Sequence, residues 1–244
     1  MNISIIYEDG DILIVDKPAG VTVNKSDTTL NEETVQEWAE EKIKDQISKI
    51  KDNEESDFYK RAGIVHRLDK ETSGVLIIAK NPEAFVKLQG QFKERVVNKT
   101  YNALVHGKLV PETGEISVPV GRLPWDRTKF GIIPGGRESA TAYKVIDYYR
   151  DKDELYSFLE VSPRTGRTHQ IRVHLKYIGY PIFADFLYAG RKTAKKDRKI
   201  LDRVYLHAAK ISFIHPRTGE RVAFESPLPE ELSKVLNHLT IIPS

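Results

Sequence analysis

Residues Ser139–Val161 read SATAYKVIDYYRDKDELYSFLEV. Ser139–Tyr149 and Tyr156–Val161 alternate polar and apolar residues with the period of two that sets one face on a core and the other in water, and the charged turn bearing Asp151 and Asp153 joins them. Two strands therefore follow one another directly. Working outward, Asn98–Val105 upstream and Tyr205–Ile214 downstream alternate in the same way, and Pro216-Arg217-Thr218-Gly219 turns the latter into a strand over Arg221–Phe224. At the start, Ile3–Tyr7 and Asp11–Asp16 flank the turn Glu8-Asp9-Gly10, and Gly74–Lys80 (GVLIIAK) is a buried-strand run. Helical spacing predicts helices from Leu30 to about Ile50, from Pro82 (capped by Asn81) to about Arg95, and over Thr168–Ile178, with a polar loop or mobile connection over Lys51–Tyr59. Strands outnumber helices, which predicts an α+β fold with a mixed, mainly antiparallel sheet flanked by helices and loops.

With 244 residues, 40% of them hydrophobic, the chain can bury a sizeable core. One domain over 1–244, which could be bilobed, is expected. Cysteine is absent, which excludes disulfides, thiolate metal sites and cysteine nucleophiles. Neither a signal peptide nor an apolar run long enough to span a bilayer is legible, so a cytoplasmic location is expected. The net charge is only +3, but Asp27–Asp57 carries −7, leaving +10 on the other 213 residues. That surplus suits a polyanion.

The most informative stretch is Gly63–Gly74, GIVHRLDKETSG, which sets one carboxylate, Asp69, among His66, Arg67 and Lys70 just before a buried strand. A carboxylate ringed by cations is held ionised, as a carboxylate nucleophile requires, although a salt-bridged turn would read the same way.

HRLDKETSG resembles the signature of the RluA-type pseudouridine synthases. Four further segments match that family in order: Asp16-Lys17-Pro18-Ala19-Gly20-Val21, Lys99-Thr100-Tyr101, Arg164–His174 (RTGRTHQIRVH), and Leu206-His207-Ala208 leading to His215–Gly219 (HPRTG). The resemblance implies the pseudouridine synthase fold with a central RNA-binding cleft, and an isomerase that detaches uracil from its ribose in ribosomal or transfer RNA and rejoins it through C5. It makes Asp69 the nucleophile, attacking C6 or C1′. It also implies that Tyr101 stacks on the target base, that Arg172 pairs with the Asp carboxylate, and that Leu206 is an apolar contact beside the base. Many relatives carry an extra RNA-binding domain ahead of the first hairpin. Here that hairpin begins at about residue 3, so none is expected, and a monomer is.

The residues support these roles on chemical grounds. A base must be flipped out before its glycosidic bond can be reached, and an aromatic face then replaces the lost stacking. Pro163–Lys176 holds four cations and no acid, so Arg172 needs a partner distant in sequence, such as Asp69. Arg164 and Arg167 fit phosphate contacts, Arg67 could fill the gap left by the flipped base, and His66 joins them as a substrate-binding candidate. Lys17 and Pro18 are read as wall. Phe186–Arg203 carries +5 in 18 residues with Phe186 and Tyr188 at its edge, and suits an RNA backbone or a solvated loop.

No cofactor is expected. No metal-binding spacing occurs, His169 and His174 diverge around a helix, and Asp9 and Asp11 fall in a turn read as solvent-facing. A non-catalytic RNA-binding module would not keep Asp69, Tyr101 and Arg172 together. A metal-dependent nuclease would need clustered carboxylates, where the basic motifs offer only Asp69 and Glu71.

Overall fold

In chain order the strands are β1 (Ser4–Glu8), β2 (Ile12–Lys17), β3 (Ser73–Ala79), β4 (Asn98–His106), β5 (Thr113–Ser117), β6 (Val120–Arg122), β7 (Phe130–Ile132), β8 (Ala140–Asp151), β9 (Glu154–Pro163), β10 (Leu206–Ile214), β11 (Arg221–Glu225) and β12 (Thr240–Ile242). The helices are α1 (Val35–Lys42), α2 (Asp57–Lys60), α3 (Pro82–Lys93), α4 (Gln170–Tyr177), α5 (Arg191–Asp197) and α6 (Glu230–Asn237). The computed structural model describes residues 1–25, 32–44 and 56–243. It divides into two units, Met1–Asn98 with Ala208–Ser226, and Lys99–His207 with Pro227–Ser244. The fold is α+β, with a mixed, mostly antiparallel sheet and flanking helices.

In the first unit β1 pairs β2 and β2 pairs β3, with Ile14 opposite Ile77 and Val15 opposite Leu76. All seven residues of β3 are buried, as its unbroken apolar run predicts for a strand covered on both faces. β11 folds back on β10. Ile12, Ile14, Ile77, Phe85, Leu88 and Phe213 belong to this unit's core, which α3 covers with its Ala84-Phe85-Leu88 face. Asn81 caps α3 as read from the sequence, its side chain accepting from the Ala84 amide at 2.9 Å.

The expected helix from Leu30 needs correcting. It starts at Val35, because Thr34 and Glu37 form a reciprocal capping box that fixes the first turn there. Leu30 itself, Ile47 and Ile50 lie outside the described residues. Asp57–Lys60, read as part of a loop, is a helical turn capped by Ser56.

In the second unit β8 and β9 form the hairpin that Ser139–Val161 predicts, with a register shift between Val145 and Asp147. β4 pairs the far side of β9, and β5 and β12 pair the two halves of β8. Leu104, Leu159, Val161, Leu175, Tyr205 and Leu232 are among the core residues. The short hairpin β6–β7 rests near α4 in a smaller cluster of Val120, Val173 and Tyr188, with Phe130, Ile132 and Leu187 packed against it. Part of the basic stretch Phe186–Arg203, whose alternative reading was a solvated loop, forms α5.

Candidate active site

Asp69 sits on a loop bracketed by two glycines that no other residue could replace without strain. Gly63 has φ +72 and an added Cβ would lie 2.0 Å from the Ala79 carbonyl oxygen, while Gly74 has φ +116 and its Cβ would meet the Ala208 carbonyl oxygen at 2.2 Å. The loop therefore leaves and rejoins the sheet at close backbone contacts. Between them the Ala79 amide donates to the Gly63 carbonyl at 2.8 Å, and the Ile77 amide donates to His66 Nε2 at 2.9 Å, so a side chain continues the ladder where the main chain departs. The His66 ring also stacks on Phe92 at 4.8 Å.

From the other side, the fully buried Lys17 ammonium donates to the carbonyls of Pro18 and Val21 at 2.8 Å and of Lys70 at 3.2 Å. The Gly20 amide donates to the same Lys70 carbonyl at 2.8 Å. A buried ammonium needs all its donors satisfied, and these carbonyls tie the Lys17-Pro18-Ala19-Gly20 turn to the Asp69 loop. Asp69 is left half-buried, Arg67 exposed, and Lys70 exposed and paired with Glu32 at 2.8 Å.

In the second unit Arg172 emerges from α4 and is held by Asp185, with Nε and Nη2 donating to its two carboxylate oxygens at 2.8 Å each. The side chains of Arg172 and Asp185 are 7% and 0% exposed. Asp185 Oδ1 also accepts the amides of Leu187 and Tyr188, at 3.0 and 3.1 Å. The Tyr188 ring lies under the Arg172 guanidinium at 5.0 Å, and its hydroxyl bonds His169 Nδ1 at 2.8 Å. The Nη1 side of Arg172 lies outside the Asp185 pair.

Gln170 joins the Arg164–Thr168 loop to β8. Its Oε1 accepts from Thr165 Oγ1 and the Arg167 amide, and its Nε2 donates to Ala140 O and Thr141 Oγ1. Arg164 is exposed, near Glu115 at 3.7 Å, and Arg167 Nε reaches the Glu138 carbonyl at 3.4 Å. Tyr101, on β4 opposite Val161, is half-buried against the core. Lys99, two residues earlier on the same strand face, reaches the Thr165 carbonyl at 3.4 Å, and burial pushes its pKa down to about 8.

Other residues singled out in the sequence lie as follows. His66 braces β3 by accepting the Ile77 amide through Nε2. Leu206 is 3% exposed and packs in the core, so it presents almost no surface to a base. Asp11, read as solvent-facing, is 8% exposed and takes Arg217 bidentately and Asn81, while Asp9 is partly exposed. Asp9 accepts the amides of Asp11 and Ile12 through Oδ1, and His215 Nε2 through Oδ2, each at 2.8 Å. Arg217 draws the Asp11 carboxyl below its ordinary pKa. Asp9, Asp11 and His215 form the one carboxylate–histidine grouping among the described residues with metal-ligand spacing, but the protein's own Arg217, Asn81 and His215 already occupy those oxygens. Sequence reasoning missed Asp185, the role of Gln170 and the packing of Tyr188 under Arg172. Gln170 carried the signal of a polar residue at the first position of α4, beside the apolar Ile171 and Val173, whereas Asp185 carried no local signal.

Residues 11–177 match the family model described as RNA pseudouridylate synthase. The chain is 37% identical over 239 residues to an uncharacterised RNA pseudouridine synthase of Bacillus subtilis, covering 98% of this chain and 73% of that protein. It is 36% identical to ribosomal large subunit pseudouridine synthase D of Pseudomonas aeruginosa, covering 98% and 72%. Across such curated relatives it spans from 54% to 73% of their length. Among solved structures it is similar to human RNA pseudouridylate synthase domain-containing 1, with TM-score 0.70 and 28% identity over 93% of this chain and 83% of that one. The class of protein is thus an isomerase acting on uridine in RNA. The chain belongs to the RNA pseudouridylate synthase family.

Proposed function

We propose that this chain converts uridine to pseudouridine in a stem-loop of ribosomal or transfer RNA, with Asp69 as the nucleophile. The observation that carries this reading is the fixing of the Asp69 loop by Gly63, Gly74, His66 and the buried Lys17, which spends a costly buried charge on orienting one short segment. The names of relatives that act on the large ribosomal subunit support ribosomal RNA in particular.

In the reaction the target nucleotide is flipped out of its stack. Asp69 bonds covalently to it, at C6 or C1′, the C1′–N1 bond breaks, and the uracil turns. The C1′–C5 bond then forms, C5 loses its proton, N1 gains one, and Asp69 is released. Product and substrate are isomers, so nothing is oxidised or consumed and no cofactor is called for. In the same proposal Tyr101 stacks on the base, Arg172 pairs with the Asp69 carboxylate, exposed Arg67 fills the vacated stack, and Arg164 and Arg167 contact phosphate. We place this work in the cytoplasm and in a monomer. No described helix is long and apolar enough to cross a membrane.

The test is release of tritium from C5 of labelled uridine in bulk ribosomal and transfer RNA, without added metal or nucleotide. Asp69→Asn keeps shape while removing the ionised oxygen, so its rate should fall below detection with affinity changed by less than about tenfold. A folded Asp69→Asn protein releasing tritium at the wild-type rate would overturn the assignment.

A further inference from the structure

We propose that Trp125, at the tip of the β6–β7 hairpin, is a stacking platform for an unpaired base of the substrate RNA outside the target uridine. The proposal deepens the RNA reading above and rests on it. Trp125 is 78% exposed, the most exposed large hydrophobic among the described residues. Tryptophan is on average highly buried, because its large ring gains most from leaving water.

The turn that carries Trp125 is braced from within. Asp126 Oδ1 accepts both the Thr128 amide and the Thr128 hydroxyl, and Asp126 Oδ2 pairs with Lys129 at 3.1 Å. The Leu123 amide donates to Lys129 O at 3.0 Å, closing the turn. Arg122 donates to the Arg127 carbonyl at 2.5 Å and lies over the Phe130 ring at 4.9 Å. A turn so cross-braced has little left to lose in entropy when a ligand stacks on it.

Arg122, Arg127 and Lys129 lie within four residues of Trp125 in sequence, against a single acid, Asp126, which already pairs with Lys129. An aromatic face amid cations matches a nucleotide, which offers a π-face and a phosphate together. The foot of the hairpin is fixed as firmly as its tip. The Phe130 amide donates to the Tyr188 hydroxyl at 2.9 Å, and the Tyr188 ring underlies Arg172. A base held at Trp125 is therefore held at a set distance from Arg172, so the hairpin can select RNAs by the position of a second unpaired base.

The chain has two tryptophans, so Trp38→Phe leaves Trp125 as the sole reporter. A short single-stranded oligouridylate should quench its fluorescence, and a blunt duplex of equal length should not. Trp125→Ala should weaken oligouridylate binding roughly 5- to 150-fold with the salt dependence unchanged, whereas Trp125→Phe should keep most of the affinity. Arg127→Ala should instead lower the salt slope by about one. Unchanged fluorescence together with unchanged affinity of Trp125→Ala would refute the platform and leave the tip to another partner, such as a protein. Tritium release by the wild type, run alongside, separates this outcome from failure of the uridine isomerase reading.

Discussion

Replacing Asp185 by alanine removes the carboxylate that takes two guanidinium donors of Arg172 at 2.8 Å and two backbone amides. With both side chains almost wholly buried, the pair gets little help from water, and the variant takes from the buried Arg172 the carboxylate that meets two of its donors. Breaking a buried pair from one side costs about 3–5 kcal/mol, a large share of the roughly 5–15 kcal/mol that holds a protein folded. Urea unfolding followed by circular dichroism should show the midpoint falling at unchanged slope. The double variant Arg172→Met with Asp185→Leu removes both charges and fills the space, so most of that loss should return. Turnover should not return if Arg172 has the role proposed for it beside Asp69. An alanine variant costing under about 1 kcal/mol, or a double variant that turns over, would refute this account of the pair.

Gly74→Ala should cost more than about 4 kcal/mol or prevent folding, since its Cβ would lie 2.2 Å from a backbone oxygen, whereas Gly90→Ala, with nothing within 4 Å of an added Cβ inside α3, should stabilise by about 0.5–1 kcal/mol in the same urea assay. Lys99 titrates in the folded chain at about 8, below its ordinary 10.5, so between those values the unfolded chain holds a proton that the folded chain has lost. Stability relative to Lys99→Met should therefore rise with pH across that window, and a constant difference would contradict the burial. Replacing the exposed Arg191, Lys192 and Lys195 of α5 by alanine should weaken all RNAs alike and reduce the slope of log affinity on log salt by about two to three units. Loss for one sequence alone would show base readout.

The sequence by itself determined the local elements and the chemistry that short motifs carry. The β8–β9 hairpin, the buried β3 and the Asn81 cap were legible because period, turn residues and caps act over a few neighbouring residues. The Asp69 loop was legible as chemistry for the same reason. The tertiary structure alone decided which side chains answer one another. Arg172 finds Asp185 thirteen residues on, past the end of its helix, and Asp11 finds Arg217 more than two hundred residues away. His66 accepts the Ile77 amide of β3 because the chain has folded back beside it, a ladder role that its motif did not announce. Trp125 is 78% exposed on a turn braced by the Arg122–Arg127 bond, an exposure that no pattern in the sequence announces. Hydrogen bonds and burial form between groups that packing brings together, and a linear pattern records the neighbours along the chain but not those across it.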